Sequence, residues 1–243
     1  VTASEGIQYS SSDSLDIVVP GVGSHGASPQ DGKDPVYMAS QIVIALQGLI
    51  SRERQPLAPG VITVGAFHSG TKHNIISDQA KLSLTVRAND EKTRAQLIAG
   101  IRRIARGVGV MNGMAEDKMP VVTVIQGTPT TINDGDLARR LNKVMAATLG
   151  ADKVIPFDQK GMGAEDFAAF VKPEDGVKGY YFAVGGTSRA ALEAAANGGP
   201  PVPTHHSPLF KVDPKAVVTT GSIAMTAAVL DLMKPGQGAG GGD

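Results

Sequence analysis

The chain has 243 residues, 42% of them hydrophobic, with 23 basic and 23 acidic side chains. That is enough apolar material for one large or two small cored domains, and the balanced charge leaves no electrostatic footprint for nucleic acid or an anionic membrane surface. Cysteine and tryptophan are absent and aromatics are 4% of the sequence, which excludes disulfides, thiolate nucleophiles and cysteine-bound zinc and argues against base or sugar stacking as the main activity.

Residues 1–14 are polar and small, unlike a signal peptide, and Val1 in place of an initiator methionine reads as a processed or truncated start. The compartment stays open between cytoplasm and periplasm. Leu15, Ile17 and Val19 alternate with Asp16 and Val18, which predicts a strand. Residues 21–26 form a glycine-rich turn expected to need positive φ. They match G-x-G-x-x-G, yet a dinucleotide site needs a helix opening at the last glycine, and here the next helix signal, Asp34-Pro35, comes eight residues later. Asp34 is placed to cap that helix, with proline at its first position. Val36, Ala39, Val43, Leu46 and Ile50 form its expected buried stripe.

Residues 61–67 and 80–88 predict two further strands. In the second, Leu82, Leu84 and Val86 point one way and Lys81, Ser83, Thr85 and Arg87 the other. Asp90 caps a helix with Leu97, Ile101, Ile104 and Val108 on its stripe, and residues 121–126 close the unit as a strand. The order β-α-β-β-α-β is that of a ferredoxin-like, split βαβ domain.

The texture changes after Gly127. Leu137, Leu141, Val144 and Thr148 predict a helix capped at Asn133 or Asp134. Residues 153–157 and 180–184 are short strand candidates, 164–171 a short helix, and Asp213-Pro214 starts a long helix through about Met233. Such alternation fits α/β layering. No apolar run approaches the ~20 residues of a membrane span, and residues 235–243 read as a flexible glycine-rich tail. The expected division is a lead-in at 1–14, one domain at 15–127, a second at 128–234 and the tail.

Five histidines are available: His25, His68, His73, His205 and His206. A catalytic zinc takes about three protein ligands and an open position. No H-E-x-x-H, H-x-D or paired-glutamate segment is present, so spacing argues against a complete zinc site in this chain. Adjacent histidines rarely aim at one ion, so at most one of His205 and His206 is a ligand. Glu165 and Asp166 stand at a helix start, where acids cap free N–H groups and offset the helix dipole. Asn74 lies in the glycine-containing loop 69–74 and Arg87 on a polar sheet face; loops of that kind often carry binding residues. Residue chemistry alone reaches a two-domain α/β protein with a polar, histidine-containing first domain.

Several stretches together resemble one family. Ser10-Ser11-Ser12-Asp13, Asp16-Ile17-Val18-Val19, Gly23-Ser24-His25-Gly26-Ala27-Ser28-Pro29 and Val61-Ile62-Thr63-Val64-Gly65 are similar to the lid domain of zinc-dependent N-acyl-amino-acid amidohydrolases and aminoacylase-like carboxypeptidases, the hippurate-hydrolase-like group. His68-Ser69-Gly70-Thr71, Asn74-Ile75-Ile76 and Leu84-Thr85-Val86-Arg87 continue the likeness. Gly161-Met162-Gly163-Ala164-Glu165-Asp166-Phe167 and His206-Ser207-Pro208-Leu209-Phe210 carry it into the C-terminal part of the catalytic domain.

The resemblance implies a ferredoxin-like lid and dimerisation domain followed by the C-terminal part of an α/β metallopeptidase-type catalytic domain. It implies two divalent ions, usually zinc, in the complete enzyme, a metal-activated water and a glutamate general base. The substrate class is a small N-acyl amino acid or peptide-like amide, and the assembly a homodimer through the lid, without nucleic acid or membrane. Carried onto this sequence, His206 is a metal ligand and His25 stabilises the tetrahedral oxyanion in a partner subunit's site, a donor role worth about 3 kcal/mol. Asn74 holds the substrate, Arg87 binds its free carboxylate through a planar fork, and Glu165 is a supporting carboxylate. The sequence departs from the family at Gln30, where a second lid histidine is usual, and at Ser77, where a proline is usual. The other ligand stretches and the general base precede the lid in the family and lie outside this sequence, so the chain alone is expected to be inactive. The alternative is a naturally truncated dimerisation or ligand-binding module without chemistry.

Overall fold

The computed structural model describes residues 1–171 and 175–234; the tail expected at 235–243 lies outside the described residues. In chain order the elements are β1 (Gly6–Tyr9), β2 (Ser12–Pro20), β3 (Ser24–His25), α1 (Pro35–Gly48), β4 (Gly60–Ser69), β5 (Ile75–Ile76), β6 (Gln79–Ala88) and α2 (Glu91–Met111). They continue with β7 (Val121–Thr128), β8 (Thr131–Asn133), α3 (Gly135–Leu149), α4 (Arg189–Ala196) and α5 (Pro214–Leu232). Two compact units result. One comprises Tyr9–Thr131 with Gln159–Val171; the other comprises Val1–Gln8, Ile132–Asp158 and the described residues of 172–243.

The first unit is built on an antiparallel sheet of order β4-β6-β2-β7, the ferredoxin-like arrangement read from the sequence. The alternation in β2 and β6 falls as expected. Leu15, Ile17, Val19, Leu82, Leu84 and Val86 are buried, while Asp16, Lys81 and Ser83 share the opposite face, where Lys81 pairs with Asp16 at 2.7 Å and Ser83 donates to it at 2.7 Å. A bulge where Leu15 faces Val124 leaves Ile125 of β7 exposed. Both helices cover the buried face. α1 packs over β6 and β4, and α2 over β6 and β7.

Asp34 caps α1 by accepting the Val36 N–H at 2.8 Å, and Asp90 caps α2 by accepting the Thr93 N–H at 2.8 Å. The α2 stripe is as expected, with Leu97, Ile101 and Val108 buried and Ile104 packed against the core. Most of the expected α1 stripe holds: Ala39 and Leu46 are buried and Val43 and Ile50 pack against the core, joined by Met38 and Ile42, whereas Val36 is exposed. This helix is apolar on more than one side, so periodicity did not mark the whole of its buried side. A buried Asp13 anchors β2 to α2 through a two-pronged pair with Arg94, at 2.7 Å from both Nε and Nη2.

In the second unit α3 packs on α5, with Leu141, Met145, Ala224 and Ala228 at the centre and Leu137, Tyr180 and Phe182 around them. Asp134, not Asn133, caps α3. Asn133 acts as a backbone surrogate, donating to the Ser4 and Tyr181 carbonyls and accepting the Tyr181 N–H. The strand candidates at 153–157 and 180–184 are instead two single bridges, Ile155 and Ala183, on either side of Thr2. The pairing available to them is only the short stretch around Thr2. Helix α4, capped by Ser188, was not foreseen: its alanine-rich sequence has no apolar stripe to reveal it. The short helix at 164–171 is a 3-10 segment, Asp166–Phe170.

Candidate functional site

The candidate residues of the first unit fall at two ends of its sheet. Beyond Pro20 and Gln79, which face each other in register, the chain forms a small ribbon in which Ser24 faces Ile76 and His25 faces Ile75. The Gly26 N–H donates to the Asn74 carbonyl at 2.8 Å, so backbone pairing brings His25 and Asn74 together across a loop of about fifty residues. The glycines here serve a purpose different from the one expected. None of Gly21, Gly23 and Gly26 has positive φ; Gly21 and Gly26 are sites of close backbone approach. A Cβ on Gly26 would lie 2.9 Å from the Asn74 carbonyl oxygen, and one on Gly21 would lie 2.6 Å from the Lys33 oxygen.

His25 is exposed. Its Nδ1 accepts the Ala27 N–H at 3.0 Å, which places the proton of the neutral ring on Nε2. The ring therefore presents an N–H donor outward, the group an oxyanion requires. Asn74 is likewise exposed, with its side chain at the ribbon tip.

Arg87 sits at the far end of β6. The eight steps from Gln79 to Arg87 amount to about 27 Å at ~3.4 Å per residue. Within one subunit, then, His25 and Asn74 do not meet Arg87. The half-buried guanidinium donates through Nη1 to the Met162 carbonyl at 2.8 Å. The segment it touches is fixed by a closed ring of hydrogen bonds among Ser10, Asn89 and Gln159, at 2.6 to 3.0 Å. Sequence reasoning did not find this ring, because its members are far apart in the chain and carry no spacing pattern. Three residues beyond Met162, Glu165 accepts the Phe167 N–H at 3.4 Å and caps the 3-10 segment, the capping explanation weighed for it.

The second unit holds His205 and His206. The His205 ring meets Phe210 edge-on at 6.4 Å. His206 is exposed and is the one non-glycine residue with positive φ, +73°, among the described residues. Such a conformation costs of order 1–3 kcal/mol and concentrates at functional sites. Among the described residues, no group of three or more His, Asp or Glu side chains could hold a metal ion. A catalytic zinc needs about three protein ligands, so these residues by themselves do not fit a dinuclear centre.

With this geometry established, the class of the first unit is defined by comparison: residues 10–110 match the family described as a peptidase dimerisation domain. The chain is 36% identical to hippurate hydrolase of Campylobacter jejuni over 68% of its own length and 42% of that protein. It is 32% identical to thermostable carboxypeptidase 1 of Saccharolobus solfataricus over 70% of its length and 41% of that protein. To N-acetylcysteine deacetylase of Bacillus subtilis it is 29% identical over 94% of its length and 54% of that protein. Its fold matches the crystal structure of the Bacillus subtilis YXEP protein, titled a dinuclear metal binding peptidase from the M20 family, with a TM-score of 0.65, 24% identity, and coverage of 94% of this chain and 52% of that one. Residues 10–110 thus belong to the M20 peptidase dimerisation domain family, and the chain is a relative of the amidohydrolases and carboxypeptidases named above. It spans about half the length of the curated relatives it matches.

Proposed function

We propose that this chain supplies the dimerising lid, the carboxylate-binding arginine and one metal ligand of a zinc-dependent hydrolase of N-acyl-amino-acid or peptide-like amides. The observation that carries the reading is the placement of His25 and Asn74 at one end of the sheet and Arg87 at the other. A substrate a few ångströms long cannot touch both ends of one lid, so the two sets act on one substrate only if the ribbon of one subunit serves the site of its partner. In that arrangement Arg87 binds the free carboxylate, His25 donates Nε2–H to the oxygen that gains charge as water attacks the amide carbon, and Asn74 holds the acyl portion. His206 contributes one metal ligand, and Glu165 supports the site from its capped segment.

The test uses the purified 243-residue chain with added zinc, titrated with N-acetylmethionine and with its carboxamide. The acid binds more tightly than the amide, and Arg87→Ala removes that preference, a loss of about tenfold for a charge-assisted pair. No hydrolysis accompanies binding, because the described residues complete no metal site. Equal binding of acid and amide would sink the role of Arg87, and chelator-sensitive turnover would sink the assignment of this chain as a partial site.

A further inference from the structure

Arg87 is a half-buried cation held by a neutral group. Its Nη1 donates to the Met162 carbonyl at 2.8 Å, and among the described residues it forms no ion pair. Arg94, Arg103, Arg106 and Arg140, by contrast, each pair with a carboxylate. A guanidinium anchored through Nη1 keeps its Nε–Nη2 edge for the two oxygens of a carboxylate, a match that depends on how the planar fork is held. The anchor lies in residues 159–165, which belong to no helix or strand, so tertiary bonds decide where the Met162 carbonyl stands. Two neighbouring serines supply them. The Ser10 N–H donates to the Gly163 carbonyl at 2.8 Å. The Ser11 N–H donates to the Ala88 carbonyl at 2.7 Å, and its hydroxyl accepts the Ala88 N–H at 3.1 Å. The strand end that carries Arg87 and the loop its guanidinium touches are thus pinned to the same two residues, all within the first unit.

The Ser10 hydroxyl completes the attachment. It donates to Asn89 Oδ1 at 2.6 Å, Asn89 Nδ2 donates to Gln159 Oε1 at 2.9 Å, and Gln159 Nε2 donates back to Ser10 Oγ at 3.0 Å. Each member gives one bond and takes one around the ring, so each polarises the next. Ser10 and Asn89 are buried, and opening the ring leaves polar groups there without a partner, which is costly. We propose that Gln159 is a positioning residue for Arg87. By closing the ring it fixes the loop three residues ahead of Met162, and the Met162 carbonyl in turn orients the guanidinium for a substrate carboxylate. The inference rests on the reading of Arg87 as the carboxylate-binding residue and adds the group that aims it. A ring that only stabilised the fold would affect charged and uncharged ligands alike, whereas a ring that aims Arg87 affects the carboxylate alone.

Gln159→Met keeps the size of the side chain and removes both its donor and its acceptor. The purified 243-residue chain with added zinc is titrated with N-acetylmethionine and with its carboxamide, as wild type, Gln159→Met, Gln159→Asn and Arg87→Ala. Gln159→Met should cut the preference for the acid about three- to tenfold, the range a single lost hydrogen bond spans, and leave affinity for the carboxamide unchanged. Its Arg87 Nε–H resonance should shift and broaden before any ligand is added. Gln159→Asn, whose amide is one methylene short of closing the ring, should show the same pattern and carries the test alone if Gln159→Met does not fold. The positioning role is overturned if these variants keep the wild-type preference, or if they lose affinity for acid and carboxamide equally. Arg87→Ala separates the two readings. A preference that survives it, or that the wild type lacks, removes the role of Arg87 and this inference together. A preference lost in Arg87→Ala but intact in the Gln159 variants removes this inference alone.

Discussion

At Gly26 a single missing atom sets the geometry of the His25–Asn74 ribbon. A side chain there would place its Cβ 2.9 Å from the Asn74 oxygen and 3.1 Å from the Asn74 carbonyl carbon, closer than such contacts allow, and both are backbone atoms that cannot swing away. Gly26→Ala should therefore push the ribbon apart, lowering stability by about 1–2 kcal/mol as overpacking does and shifting the Asn74 amide resonance. Unchanged urea unfolding together with an unmoved Asn74 signal would show that the ribbon has slack. At this scale the candidates were legible as residue types, but their neighbours were not. G-x-G-x-x-G announces a turn; it does not say whether the glycines supply positive φ or room, and only the approach of residues 33–35 and 74 decides it. His206 adds a signal no sequence carries. Of two adjacent histidines, one packs on Phe210 and the other bears the left-handed backbone, which separates the proposed ligand from its neighbour.

At the scale of elements, caps were the most readable feature, because a cap is a local contact between an acid and N–H groups two or three residues on. Asp34, Asp90, Asp134 and Asp213 each accept such a bond. Buried stripes were readable only where one face was apolar. α2 satisfies that and its stripe was read correctly; α1, apolar on more than one side, was read in part, with Val36 exposed and Met38 and Ile42 buried instead. The short bridges around Thr2 were illegible because pairing partners more than 150 residues away leave no trace in local pattern. The α3 cap gives a measurable consequence. The Leu137 N–H is the main cause that holds the Asp134 carboxyl below its usual 3.8, with Lys178 adding to it. A carboxyl whose folded value is depressed contributes stability that is present above its unfolded value and lost as pH falls through the folded one. Asp134→Ala should cost about 1 kcal/mol at pH 7, and that gap should narrow as pH falls below about 4 and through the depressed folded value, leaving what a neutral capping oxygen contributes. Asp134→Asn, which keeps a capping oxygen without a charge, should retain most of the stability and lose the pH dependence. Urea unfolding of the three proteins at pH 7 and pH 3 decides it; a gap for Asp134→Ala that is no smaller at pH 3 than at pH 7 would mean the charge on the cap contributes nothing.

At the scale of the molecule the question is which edge of the first unit's sheet meets a second copy. The edges are β4 and β7. Both carry a bulge, β4 between Val64 and Ala66 and β7 at Ile125, but α2, on the β7 side, exposes arginines at its surface, with Arg103 paired to Glu53 and Arg106 to Glu116. β4 is ten residues long and lies beneath α1, whose outward side presents Tyr37 at 58% and Ile44 at 72% exposure. An open strand edge beside an apolar helix face is the combination that a two-fold contact buries well, since edge pairing satisfies backbone groups and the helices add apolar area. It also accounts for α1 being apolar on two sides: one side serves the chain's own core and the other a copy. Joining β4 to β4 antiparallel about a two-fold axis would make one continuous sheet and set the His25–Asn74 ribbon of each lid toward the end of the partner's sheet that carries Arg87, as a shared site requires. Light scattering of the chain should give twice its 25.0 kDa mass, and Ile44→Arg should give a folded monomer with unchanged helical content. A dimer that survives Ile44→Arg but not a charge at Ile125 of β7 would move the interface to the other edge, and a wild-type monomer at high concentration would remove the shared site altogether.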